Sequence, residues 1–115
     1  MSDNYRIIKE NNAIIFKVNA EQLQIEKLKD LSASIHSSLE EKPRKFILDL
    51  REIHYLDSAA LGMIFKVKDA IDSFSGNFFV TGVNRTISMV LNITKADRII
   101  RILDSVDEAL KIKVD

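Results

Sequence analysis

Where the chain reads Phe46-Ile-Leu-Asp-Leu-Arg-Glu-Ile-His-Tyr-Leu-Asp-Ser-Ala-Ala-Leu-Gly62, an apolar run gives way to Asp57 and Ser58 and then to helical periodicity. A carboxylate or hydroxyl at a helix start accepts hydrogen bonds from N–H groups that lack partners inside the helix, so either Asp57 or Ser58 serves there as a cap. The two imidazoles, His36 and His54, stand far apart in sequence. His36 falls on the polar side of a helical pattern beside Ser37, and both histidines read as surface or packing residues. No His, Asp or Glu cluster has metal-ligand spacing, and G-x-G-x-x-G, G-x-x-x-x-G-K and G-x-S-x-G do not occur. There is no cysteine, which excludes disulfides, thiolate zinc sites, iron–sulfur clusters and cysteine nucleophiles. Three glycines leave little material for close backbone approach to phosphates. The residues point away from an enzyme and from a resident cofactor.

The elements that must position Asp57 and Ser58 follow from patterning. The 115 residues carry 17 Lys+Arg and 17 Asp+Glu with 46% hydrophobic residues, the profile of a single domain over residues 1–115. A chain of this length buries roughly two-thirds of its unfolded surface, enough for a core without staples. Zero net charge offers no basic footprint for nucleic acid. No apolar stretch approaches the roughly 18 residues of a membrane helix, and Met1 to Glu10 lacks a signal-peptide block, so a cytoplasmic location is expected.

Tyr5 to Glu10 and Ala13 to Val18 predict a hairpin across Asn11-Asn12, a pair that tolerates positive φ. Ile25, Leu28, Leu31, Ile35 and Leu39 mark a first helix, stopped by Pro43. The run Phe46 to Leu50 predicts a strand buried on both faces, at the centre of a sheet. Ala60, Ile64, Val67, Ile71 and Phe74 repeat at alternating intervals of four and three and predict a helix from Ser58, ended by Gly76 as a C-terminal glycine. A strand over Asn77 to Thr81, a short helix capped by Asn84, a last strand over Ile99 to Leu103 and a final helix opened by the Ser105/Glu108 capping box complete the order. β-β-α-β-α-β-α-β-α is an α/β domain with a mixed sheet of about five strands, an N-terminal hairpin and four helices. In such sheets the functional surface lies outside the carboxyl ends of the strands, where Arg51 to Ala60 falls.

The Phe46 to Gly62 stretch resembles the central motif of STAS domains, specifically of bacterial anti-sigma factor antagonists: a strand ending in Asp-Leu, a loop, then Asp-Ser-x-Gly-Leu-Gly. The matching positions are Asp49, Leu50, Asp57, Ser58, Leu61 and Gly62. The resemblance spans essentially the whole chain, through the hairpin, the element order, Gly76 before a strand and the closing Asp104-Ser105 helix. Two departures stand out. Ala60 replaces a glycine common in the family, adding a methyl where a partner backbone would approach, and Asn19 to Gln24 lacks the family's usual Gly and Asp.

The resemblance implies partner switching. The unmodified chain would bind an anti-sigma factor that is also a serine kinase, freeing a sigma factor. Phosphorylation of Ser58 would release it, a metal-dependent phosphatase would restore it, and ATP would be bound by the kinase rather than by this chain. A phosphate at Ser58 is compatible with a cap there, because a helix N-terminus presents N–H donors and a positive dipole end to an anion. By position the partner surface would comprise Asp57, Ser58, Ala59, Ala60, Leu61, Gly62 and Phe65, with no contact to nucleic acid or membrane. Asp57 reads either as a cap that directs the serine or as a solvated loop acid. Gly62, nearly opposite the apolar face, reflects partner approach, a family relic or a local packing need. Leu61 and Phe65 form either a contact patch or the edge of the core. An alternative function is a non-phosphorylated STAS subunit of a transporter-associated or sensory assembly, favoured by Ala60 and the Asn19 to Gln24 loop.

Overall fold

The computed structural model describes residues 5–19 and 25–114. Strands β1 (Tyr5–Glu10) and β2 (Ala13–Val18) pair antiparallel from Tyr5↔Val18 to Glu10↔Ala13. Asn11 (φ 48°) and Asn12 (φ 67°) close the hairpin in the doubly left-handed turn that matches strand twist. Helix α1 (Ile25–Ser38) turns Leu28, Leu31 and Ile35 inward, then tightens into a 3-10 turn at Leu39–Glu41 before Pro43. There follow β3 (Lys45–Asp49), α2 (Ser58–Asp72), β4 (Asn77–Thr81), α3 (Arg85–Ile93), β5 (Arg101–Leu103) and α4 (Val106–Lys111). The sheet runs β1-β2-β3-β4-β5, with β2 to β5 parallel, so the mixed five-stranded sheet and four α-helices expected from the sequence are present among the described residues.

Central β3 is buried along its whole length, and its side chains divide between two layers. Phe46 and Leu48, in register with Ile14 and Phe16 on one side and Phe78 and Val80 on the other, pack beneath α1, α2 and α3. Tyr5, Phe16, Phe46 and Phe78 line up across this face, with successive ring centroids 4.8, 6.2 and 6.1 Å apart. Ile15, Ile47 and Phe79 face the opposite way, against Ala109 of α4. Buried Lys45 fastens that layer: its Nζ donates to the carbonyls of Ala109 and Leu110, both at 2.8 Å, a cation at the negative end of α4.

Three boundaries differ from the sequence expectation. The residue that leaves α2 through left-handed space is Ser75 (φ 63°), not Gly76. Gly76 is required by space instead, since a Cβ there would lie 2.7 Å from Phe74 Cε1 and 3.1 Å from the Pro43 carbonyl. The last strand is shorter than Ile99 to Leu103, because a 3-10 turn at Ala96–Arg98 holds Ile99 and Ile100 by bonds to the Ala96 carbonyl, leaving only Arg101–Leu103 to pair with β4. Leu50 lies just beyond β3, fully buried. Apart from Asn19, the Asn19 to Gln24 stretch falls outside the described residues. No helix among the described residues is long and apolar enough to cross a membrane.

Candidate functional site

The carboxyl ends of β3 and β4 hold a knot of polar bonds that shapes the loop leading to Ser58. Asp49, nearly buried, accepts the Arg51 N–H at 3.1 Å through Oδ1, with the Thr81 hydroxyl at a longer 3.5 Å. The Leu50 N–H donates to the Thr81 carbonyl at 2.9 Å. Gly82 crosses this point at φ +73°, where a Cβ would stand 2.9 Å from Asp49 Oδ1 and 3.1 Å from Arg51 Cα. Only glycine meets both the backbone angle and the space.

Ile53 and Leu56 plug the loop into the core, so the residues between and after them turn outward. His54, Tyr55, Asp57, Ser58 and Ala59 are all exposed. Asn84 pins the loop from the next connection: its Nδ2 donates to the His54 carbonyl at 2.9 Å, while its Oδ1 accepts the Ile87 N–H at 2.8 Å and caps α3. One side chain thus fixes the start of α3 and the approach to α2.

Asp57 is the N-cap of α2. Its backbone is extended (φ −95°, ψ 179°), its Oδ1 accepts the Ala60 N–H at 2.8 Å, and its carbonyl accepts the Leu61 N–H at 3.0 Å. Ser58 is therefore the first helical residue, and its hydroxyl has no hydrogen-bond partner among the described residues. An exposed hydroxyl beside the N–H end of a helix can accept a phosphoryl group without breaking a bond of the fold. Among the described residues no group of three His, Cys, Asp or Glu could hold a metal ion. His36 is exposed on α1, its Nδ1 2.8 Å from the Ser32 carbonyl.

The residues assigned to the partner surface do not share one environment. Asp57, Ser58, Ala59 and Gly62 face outward together. Ala60 is wholly buried and Leu61 is 9% exposed, both in the core, and Phe65 is half-buried against it. The Ala60 methyl therefore packs inward, not where a partner backbone would arrive, which corrects the expectation for that position. Leu61 and Phe65 form the edge of the core. At Gly62 an added Cβ would meet nothing within 4 Å, so no packing against the described residues calls for glycine there. It opens onto a groove of about 500 Å³ between α1 and α2, floored by Leu28 and Met63. Sequence reasoning recognised Asn84 as a cap but missed its bond to the α2 loop, along with the Asp49–Thr81–Gly82 knot.

A mixed-sheet α/β domain with an Asp-capped, serine-led helix at the carboxyl edge of its central strand defines the class. The STAS domain model matches residues 4–109, and the chain belongs to that family. It is 36% identical over 67 residues to a Thermotoga neapolitana protein provisionally named an anti-sigma factor antagonist; the aligned stretch is 58% of this chain and 59% of that protein. The crystal structure of a Thermotoga maritima protein with the same provisional name superposes at a TM-score of 0.87, with 27% identity over 93% of this chain and 92% of that one. The Bacillus cell fate determinant SpoIIAA in its phosphorylated form shares the fold at a TM-score of 0.71 and 11% identity, over 92% of this chain and 96% of that one.

Proposed function

We propose that the chain is an anti-sigma factor antagonist that acts by partner switching, with Ser58 as its phosphorylation site. The observation that carries this reading is the free, exposed Ser58 hydroxyl at the first position of α2, with Asp57 already serving as the cap. The names of the Thermotoga relatives and the phosphorylated form of SpoIIAA support it. The chain works as a binding module. Unmodified, it binds an anti-sigma factor that is also a serine kinase, and the sigma factor is freed. The kinase transfers the γ-phosphoryl of its ATP to Ser58 Oγ; the hydroxyl proton is lost and ADP leaves. A metal-dependent phosphatase returns the phosphoryl group to water and regenerates the hydroxyl.

A phosphate on Ser58 meets two different environments. The α2 N-terminus favours an anion by typically 0.3–1 kcal/mol, and the Asp57 carboxylate opposes it, so the fold itself barely responds. A partner surface fitted to a neutral hydroxyl would have to desolvate a phosphate, at a penalty of several kcal/mol if unpaired. With Ala60 turned inward, its methyl no longer favours the alternative of a non-phosphorylated assembly subunit. Phosphosite mapping of the chain purified from its native cell, beside a Ser58→Ala control, tests the reading. Phosphate on Ser58 of the wild type and none on the variant is expected; modification confined to another residue would remove Ser58 from the mechanism.

A further inference from the structure

Helix α3 is apolar on two sides. Ile87 and Leu91 are buried beneath it, while Met89 (56% exposed) and Ile93 (73%) stand one turn apart on the side facing water. Ile99 (53%) follows the 3-10 turn packed on α3, and Tyr55 (66%) projects from the loop that the α3 cap, Asn84, holds through its bond to the His54 carbonyl. Four of the five exposed large hydrophobic residues among those described therefore belong to α3, the turn after it, and the loop before Ser58; the fifth, Ile7, is on β1.

The charge along α3 and the turn after it is one-sided, although the whole chain is neutral and the Tyr55 loop carries exposed Glu52 and Asp57 beside Arg51. On α3 and the turn after it lie Arg85, Lys95 and Arg98 against Asp97 alone, and the Asn92 amide occupies Asp97 at 3.1 Å; Arg101 lies on the other face of the sheet, 5.3 Å over the Phe79 ring. Arg85, Lys95 and Arg98 are exposed and form no ion pair among the described residues. An isologous dimer through this face would set like charges against one another, which costs rather than favours association.

Resting on the partner-switching reading, we infer that the outer face of α3, with Tyr55, is the second half of the anti-sigma factor binding surface. Its occupant is a face of that protein carrying acidic side chains around an apolar centre. Only eight residues between Arg51 and Phe65 are exposed, well short of the roughly 20–30 that each side of a standard interface supplies. The α3 face continues from that loop through Asn84 and provides apolar anchors and complementary charge. Phosphorylation would act at one end of the interface while α3 determines which partner docks.

The test uses an anti-sigma factor recovered with the wild-type chain, purified, and titrated calorimetrically with wild type, Ile93→Glu, Met89→Ser, Arg98→Glu and Ser58→Asp. Ile93→Glu should bind at least tenfold more weakly. Met89→Ser and Arg98→Glu should bind several-fold more weakly, and Arg98→Glu should also show a shallower salt dependence. Melting temperatures should match wild type, since all three side chains face water. Full affinity in the α3 variants beside a weakened Ser58→Asp would overturn this inference and leave partner switching standing. Full affinity in Ser58→Asp would strike at partner switching itself. A concentration-dependent dimer, or binding to phosphatidylglycerol vesicles, that disappears with Ile93→Glu while anti-sigma factor binding survives would assign the face to a second copy or to a membrane, and would also overturn it.

Discussion

Helices α2 and α4 begin with the same device and leave their serines in opposite states. At α4 the extended cap is Ser105 (φ −147°, ψ 161°), whose Oγ accepts the Glu108 N–H at 3.1 Å, while Glu108 reaches back to the Asp104 N–H at 2.9 Å. At α2 the extended cap is Asp57, which takes the Ala60 N–H, and the serine stands one residue later. A shift of one position separates a hydroxyl that the fold uses from one that it leaves free. Phosphorylating Ser105 would disrupt a cap whose loss typically costs about 1 kcal/mol, whereas Ser58 can be modified with the cap intact. Asp before Ser at a helix start is thus a way to keep a serine both anchored in direction and chemically available.

The largest effect should come from Asn84, whose side chain both caps α3 and ties down the α2 loop. Asn84→Ala should cost about 2 kcal/mol, roughly a cap plus a hydrogen bond, in urea denaturation. It should also broaden the amide signals of Arg51 to Asp57, and a loss confined to α3 would show that the loop holds itself. Next, Asp57→Ala and Ser105→Ala should each lower stability by about 1 kcal/mol, while Ser58→Ala stays within about 0.5 kcal/mol. A cost at Ser58 equal to that at Ser105 would erase the distinction between the two helix starts. Gly62→Ala should move stability the other way, raising it by up to about 1 kcal/mol because the site is helical and open. Weakened anti-sigma factor binding in that more stable variant would show that the partner approaches Gly62.

Much of this was legible from residue order. Asn11-Asn12 announced the hairpin because few residues other than glycine accept two successive positive φ values, and the four-three spacing from Ala60 to Ile71 announced α2. That same spacing puts Ala60 on the face of Ile64, so its burial was readable beside its departure from the family's usual glycine. The run Ile99 to Leu103 could not be parsed, because apolar composition alone does not reveal that Ile99 and Ile100 close a helical turn on Ala96. Ser75 in place of Gly76 at the end of α2 was hidden for a related reason: a glycine demanded by crowding reads like one demanded by φ. In the site, the cap and its serine were visible as neighbours in sequence. Asn84 to His54 and Asp49 to Thr81 span about thirty residues each, and a single chain carries no local pattern that pairs them.

The affinity of the anti-sigma factor for two forms of one chain, unmodified and phosphorylated at Ser58, measured by titration with amide chemical shifts recorded alongside, tests a surface switch most directly. The unmodified form should bind at micromolar or tighter affinity, about −8 kcal/mol or better, and the phosphorylated form at least tenfold more weakly, a difference of about 1.4 kcal/mol or more. Shift changes between the free forms should stay within Arg51 to Phe65 and the adjoining loops. Equal affinity of the two forms, or shifts spread through the sheet with a large fall in melting temperature, would contradict a switch that works at the surface of an unchanged fold.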